Sequence, residues 1–249
     1  MQRNQDMPSA NDQIKFKRPL LKLSGEMLGG SDGFGFNRQI LDGFAGEIKT
    51  LTEAGIIPGI VLGGGNFFRG ARTTLPALKR HRADAIGMLA TVMNAICFAE
   101  HLEAAGVKAK VYSAVPLYPL VSAYDIDDAI ASIKDGIVCL YSGGTGNPYF
   151  STDSAAALRA VETGCDVLIK GTKVDGVYDS DPFKNPSAAK FQQITYEEVL
   201  RRNLGVMDLV AITLCRDNRM PLKVLSLAEA GNLLKACSGA ETGTDVIES

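Results

Sequence analysis

Three short apolar runs in this chain lead into glycine-rich segments, and that repeated junction restricts the fold more than any other feature. Pro19–Ser24 runs into Gly25, Ile56–Leu62 into Gly63-Gly64-Gly65-Asn66, and Ile137–Tyr141 into the Gly143–Pro148 segment. Short apolar runs bounded by turn residues read as strands buried on both faces. Segments of helical period lie between them. Asn37 precedes Ile40, Leu41, Phe44, Ile48 and Leu51, and the pattern stops at Ala54-Gly55. That is the order of an N-cap, an apolar stripe and a C-terminal glycine. Ile86, Leu89, Ala90, Met93, Ile96 and Cys97 predict a long, well-buried helix over 82–105.

Further strands are expected at Val107–Tyr112, Asp166–Lys170 and Leu222–Leu225, and helices at Ile126–Ile133, Thr152 to about Glu162, 196–202, 208–218 and 228–236. Residues 171–192 carry Gly, Asp, Pro and Asn with little periodicity, which predicts a long ordered loop with a small hairpin. Strands alternating with helices give a mostly parallel sheet covered on both faces. In such α/β sheets ligands gather beyond the carboxyl ends of the strands. Three glycine-rich loops on one rim therefore make a phosphate-sized cradle.

At 249 residues, 46% hydrophobic and without Trp, the chain can bury one core of Leu, Ile, Val and Ala. A net charge of −2 gives no support to a general nucleic-acid binder. Cys97, Cys139, Cys165, Cys215 and Cys237 form no C-x-x-C pair and read as free thiols of a reducing, cytoplasmic compartment. With two histidines, a His-rich metal site is not expected. Residues 1–14 read as a flexible polar tail without a secretion signal, and no run is expected to reach the ~20 apolar residues of a membrane span.

Individual segments carry chemistry beside plainer readings. Lys22 lies inside the first strand, where an ammonium is costly unless it meets an anion; the plain alternative is an exposed edge strand. Gly63–Asn66, with Arg69 three residues on, is expected to put bare amides at a helix start, which binds anions; the alternative is a tight turn. Neither a Walker A loop nor a dinucleotide fingerprint occurs. Ser151, Thr152 and Asp153 suit an N-cap, but Asn147, Tyr149 and Phe150 in the same loop suit a planar base and a sugar. Asp175 and Asp181 also fit ordinary turns, and Asp208 an N-cap.

Together, Lys22–Glu26, Gly63–Gly70, Gly87–Asn94, Gly143–Ser154, Thr172–Gly176 and Val206–Leu209 resemble the bacterial uridylate kinases of the amino-acid-kinase superfamily, in the family order from about Lys17 onward. The resemblance implies a three-layer α/β/α sandwich forming a single domain over 15–249, with an acceptor-binding portion at about 15–165 and an ATP-binding portion at 166–249. It implies Lys22, Asp153, Lys170 and Asp208 as catalytic residues. Lys22, Leu23, Ser24, Gly25, Gly65, Arg69, Thr172, Tyr178 and Asp181 would meet ATP. Gly64, Asp84, Thr145, Gly146, Asn147, Pro148, Tyr149, Phe150, Ser151 and Thr152 would hold UMP, with Asp84 on the ribose. Mg²⁺ would be held mainly by nucleotide phosphates, with Asp153 and Asp208 as the acidic pair that organises it and the lysines. A homohexamer built from dimers and a GTP or UTP effector are further implications. Ala99, Glu100 and Glu103 replace the basic residues relatives carry on that helix, which argues against GTP activation. The nearest alternative is a carboxylate kinase acting on acetylglutamate or glutamate; a non-catalytic oxyanion-binding protein comes next, and a dehydrogenase is more distant.

Overall fold

The computed structural model describes residues 14–68, 75 and 77–248. The expected tail lies, but for Ile14, outside the described residues. In chain order the first half comprises β1 (Pro19–Leu23), α1 (Gly25–Leu28), α2 (Arg38–Glu53), β2 (Gly59–Leu62), α3 (Arg80–Ala104), β3 (Ala109–Ser113), β4 (Ser122–Ala123), α4 (Ile126–Lys134) and β5 (Val138–Ser142). The second half comprises α5 (Thr152–Glu162), β6 (Val167–Thr172), β7 (Gln193–Thr195), α6 (Tyr196–Arg202), α7 (Leu209–Asp217), β8 (Leu222–Ser226), α8 (Asn232–Cys237) and β9 (Thr244–Ile247).

The strands form one sheet in the order β4-β3-β5-β2-β1-β6-β8-β9-β7. Every neighbouring pair is parallel except β8 and β9, which run antiparallel. Side chains alternate between faces along a strand, so each central strand feeds two cores. Leu20, Val61 and Leu168 pack on one face with Ala156, Ala157 and Ile212 of α5 and α7. Leu21, Ile60 and Ile169 pack on the other with Leu41, Phe98 and Leu233 of α2, α3 and α8. The result is the expected three-layer α/β/α sandwich. β1 is its topological switch point, flanked by β2 and by β6.

Several expectations are corrected. No helix begins at Gly63–Asn66; residues 65–67 form a turn, and the next described helix starts at Arg80. The glycines serve close approach instead. A helix expected at 228–236 is confined to α8, since the left-handed Gly231 sets its start. Four short elements (α1, β4, β7 and β9) are too brief to leave a period in the sequence. The hairpin expected within 171–192 reduces to one antiparallel bridge between Tyr178 and Lys190. Finally, α3 does hold an 18-residue stretch of mean hydropathy 1.4, apolar enough by composition to span a bilayer. Its apolar side chains go instead into the core beneath β2, β3 and β5 and onto an outward stripe.

The ends of β1 and β2 meet at glycine for a steric reason. A Cβ on Gly25 would lie 2.2 Å from the carbonyl oxygen of Gly63 and 2.7 Å from Oδ1 of Asn66. Gly25→Ala must push the two loops apart, and urea unfolding is expected to show a loss of about 1–3 kcal/mol. A change below ~0.5 kcal/mol, ordinary for a surface substitution, would show that the loops part freely.

Candidate active site

Lys22 of β1 and Lys170 of β6 are register partners on adjacent parallel strands. Period-two alternation points both side chains to the α5 face of the sheet. Lys22 thus occupies a central strand, not the edge. Between the two ammoniums stands Asp153, in the first turn of α5. Its Oδ1 is 2.6 Å from Lys22 Nζ and its Oδ2 is 2.8 Å from Lys170 Nζ. The three side chains are 11%, 13% and 17% exposed, so solvent screens these pairs weakly. Lys170 Nζ also donates to the Val206 carbonyl at 2.6 Å.

Two ammoniums sharing one carboxylate give the triad itself a net positive charge, with the Asp208 carboxylate acting on Lys170 from farther off. Burial pushes the Asp153 carboxyl up, but the charges of Lys22 and Lys170 outweigh it and hold the group below the usual carboxylate range. Burial, joined by repulsion from Lys22, holds Lys170 below the ordinary lysine value despite Asp153. An anion arriving at this point would relieve the excess charge.

The start of α5 is built by hydroxyls. Ser151 is the N-cap, its Oγ accepting from the amides of Asp153 (2.9 Å) and Ser154 (3.2 Å). Ser151 and Ser154 in turn donate to Asp208, the latter at 2.9 Å. Asp208 itself caps α7 by accepting from Ala211 N at 3.0 Å. Asp153 therefore organises the lysines, whereas Asp208 locks the starts of α5 and α7 together and acts on Lys170 through space.

Two cavities flank this triad. One, of about 570 Å³, is lined by Lys170, Thr172, Tyr178, Asp181, Phe183 and Asn203 among others. All three ATP-side residues expected from the 171–192 loop are in it. Thr172 closes its own turn, with Oγ1 donating to the Val174 carbonyl at 3.0 Å. Leu23 is 2% exposed with its side chain in the core, so only its backbone faces the rim. Ser24 starts α1 without a side-chain cap bond, Gly65 sits in the turn after β2, and Arg69 lies outside the described residues.

The second cavity, about 140 Å³, lies between α3 and the start of α5. Of the expected acceptor residues, Gly64, Asp84, Asn147, Phe150, Ser151 and Thr152 line it. A Cβ on Gly64 would come within 2.8 Å of Ala90 Cβ and of the Gly87 carbonyl, so glycine brings the loop onto α3. Thr145, Gly146, Pro148 and Tyr149 instead shape the turn. Thr145 Oγ1 accepts from Asn147 N at 3.2 Å, and Tyr149 adopts a left-handed φ of 72°. Tyr149 N donates to Asp84 Oδ2 at 2.8 Å. Arg80 holds the same carboxylate at 2.8 Å and lies 5.6 Å over the Tyr149 ring. Sequence reasoning missed Arg80, Ser154 and the Val206 carbonyl. The i,i+4 spacing of Arg80 and Asp84 was a usable signal; a backbone carbonyl leaves none.

Asp153→Asn would strand two buried ammoniums, and urea unfolding at pH 7 is expected to show a loss of about 3–5 kcal/mol. Because the folded carboxyl titrates below its ordinary 3.8, this stabilisation is fully present above pH 3.8 and fades as pH falls through the lower folded value. The gap between variant and parent should therefore close only in strong acid. Equal stability at pH 7 would remove the triad as a stabilising element.

The Amino acid kinase family matches residues 17–226. A uridylate kinase of Stutzerimonas stutzeri (strain A1501) is 50% identical over 235 residues, covering 94% of this chain and 95% of the relative. A solved UMP kinase from Bacillus anthracis superposes with a TM-score of 0.91 at 33% identity, covering 94% of this chain and 97% of the other. A UMP kinase from Ureaplasma parvum gives a TM-score of 0.88 at 33% identity, covering 94% and 100%. With this fold, these lysines flanking one aspartate and relatives matched over most of their length, the chain belongs to the amino acid kinase family and, within it, to the uridylate kinases.

Proposed function

We propose that the chain transfers the γ-phosphoryl group of ATP to UMP, giving UDP and ADP, as a step of pyrimidine nucleotide biosynthesis in the cytoplasm. The observation that carries this reading is the Lys22–Asp153–Lys170 triad between two cavities. Residues of the larger cavity fall between 170 and 224 and those of the smaller between 64 and 152. That division supports a donor portion at 166–249 and an acceptor portion at 15–165. ATP would occupy the larger cavity along Thr172, Tyr178 and Asp181, with its phosphates toward Lys22, Ser24, Gly25 and Lys170. UMP would occupy the smaller, near Gly64, Asp84 and the Asn147–Thr152 segment.

In the transfer, a phosphate oxygen of UMP forms a bond to the γ-phosphorus as the bond to the β–γ bridging oxygen breaks. The electron pair leaves on ADP. The attacking oxygen is already anionic near neutral pH, so no base has to remove a proton. Lys22 and Lys170 supply positive charge where it spreads over the transferring group, and Asp153 fixes their positions. Mg²⁺ would add charge neutralisation across the ATP oxygens. Among the described residues no three His, Cys, Asp or Glu side chains form a metal cluster. With Asp153 engaged by lysines and Asp208 by hydroxyls, an ion carried mainly by the nucleotide phosphates fits better than a protein cage.

Ile86, Leu89, Met93 and Ile96 form an exposed apolar stripe on α3 at heptad spacing. That stripe supports a dimer interface within a homohexamer. Glu100 and Glu103, exposed farther along α3, disfavour GTP activation through that stretch. Five free thiols support a reducing compartment.

A coupled ADP-release assay with ATP, Mg²⁺ and UMP, CMP, AMP, GMP, acetylglutamate or glutamate is expected to show turnover with UMP far above the rest. Turnover with an amino acid alone would keep the fold and overturn the acceptor. Lys22→Met should lower kcat by about 10²–10³-fold with a much smaller change in KM; an unchanged kcat would take Lys22 out of the transition state. Light scattering should give six times the 26.5 kDa chain mass, and a monomer would refute the assembly.

A further inference from the structure

Asn94 sits in the middle of α3 among apolar neighbours and is fully buried. Asparagine is a poor helix former there, and a buried amide is costly unless every group is bonded. Its amide closes a reciprocal pair with Asn66, which is 1% exposed. Asn94 Nδ2 donates to Asn66 Oδ1 at 2.8 Å, and Asn66 Nδ2 donates to Asn94 Oδ1 at 2.9 Å. The remaining N–H of Asn94 donates to the Gly63 carbonyl at 2.6 Å, and that of Asn66 to the Gly35 carbonyl at 2.8 Å. All four amide N–H groups are used. The backbone of Asn66 holds the same glycine loop by accepting from Gly35 N at 3.2 Å.

This pair sits where displacement matters. Gly63 lies between the loop after β1 and the start of α5. A Cβ on Gly63 would lie 3.1 Å from Gly25 N, at the start of α1, and 3.5 Å from Thr152 Oγ1, at the start of α5. Gly64 next to it lines the smaller cavity. The carbonyl that Asn94 grips therefore belongs to the backbone wedged between the rim of β1 and the helix that carries Asp153. A packing role alone needs no polar group here, since a leucine, with the same branched outline, would bury more apolar surface.

We propose that Asn94 is a positioning residue for phosphoryl transfer: through Gly63 and Asn66 it fixes the loops after β1 and β2 against the start of α5. It touches neither cavity wall with a reacting group; it sets the alignment of groups that do. This rests on the reading of the two cavities as donor and acceptor sites. Alignment errors weaken the transition state more than ground-state binding, and misplacement of about 1 Å can cost about 10²-fold in rate.

The test compares the full-length chain with Asn94→Leu, using kcat, both KM values and the melting temperature. Rates are taken well below each midpoint and expressed per folded molecule. Expected is a fall in kcat of about 10²-fold with ATP and UMP saturating, while each KM moves by less than ~3-fold. Ala95→Gly, a backbone-loosening change one residue away in the same helix, should lower the melting temperature and leave kcat per folded molecule intact. Should Asn94→Leu fail to fold, Asn94→Ser removes the same bonds without added bulk and carries the comparison. A variant kcat within ~2-fold of the parent, a rise confined to KM, or an equal kcat loss in Ala95→Gly would overturn the proposal. If the parent itself prefers an acceptor other than UMP, the acceptor reading fails, and the same ratios with the preferred acceptor still decide the role of Asn94.

Discussion

The structure depends on the buried contact of Lys22 and Lys170 with Asp153. Two lysines on adjacent strands, in register and on one face, repel each other and lose hydration together. Such a pair persists only if a carboxylate is delivered between them. That requirement explains why α5 lies across β1, β2 and β6 and begins at the rim, with Asp153 in its first turn. It explains the cap as well: Ser151 and Ser154, anchored by Asp208, prevent the helix start from sliding away from the lysines. The helix dipole adds to the hold, since an acidic side chain is favoured in the first turn.

Bringing a helix so close to strand ends leaves no room for side chains on the intervening loops. Gly25, Gly63 and Gly64 are small for that reason, each facing backbone or a neighbouring helix at contact distance. None of these three has a positive φ, so steric approach and not backbone conformation demands glycine there. The left-handed glycines lie elsewhere, as at Gly143 and Gly146, where the chain turns after β5 toward α5. The same loops are gripped from the opposite layer by α3, whose Thr91 accepts from Gly143 N at 2.9 Å. One helix thus fastens the loops after β2 and after β5 on its inner side, while Leu89, Met93 and Ile96 lie exposed on its outer side. Any partner seated on that stripe would share a rigid element with the loops of the site.

Much of this was legible in the sequence because local rules and global fold agree. Apolar runs ending in glycine marked β1, β2 and β5, and the Asn37 cap marked α2. The lysine inside a buried run pointed to an anion, and Asp153 supplies it. What stayed hidden depends on contacts between distant segments. The expected helix at Gly63–Asn66 was a misreading of glycines that serve close packing. β7 and β9, three and four residues long, exist because each completes the other's ladder beside β8. Asp84 was expected on a ribose; its tie to Arg80 and to the Tyr149 amide needs a fold that brings positions 84 and 149 together. Asn66 and Asn94 stood within recognised motifs, but nothing in spacing reveals that two amides face each other.

The two histidines make the chemical logic plain. His101 pairs with Asp42 at 2.8 Å on the α2–α3 surface, and His81 is exposed near the start of α3. Neither lines the two cavities. A reaction that began by taking a proton from a hydroxyl would call for a base between those cavities. The carboxylate there, Asp153, is held below its usual range by two ammoniums and so is a poor proton acceptor. What the Lys22–Asp153–Lys170 triad offers is a net positive charge in a weakly solvated place, held by hydrogen-bonded helix starts. Such a site suits a nucleophile that arrives already ionised, as a phosphate does; under the proposed function it would stabilise charge passing from one phosphate to the other without storing a proton at any step.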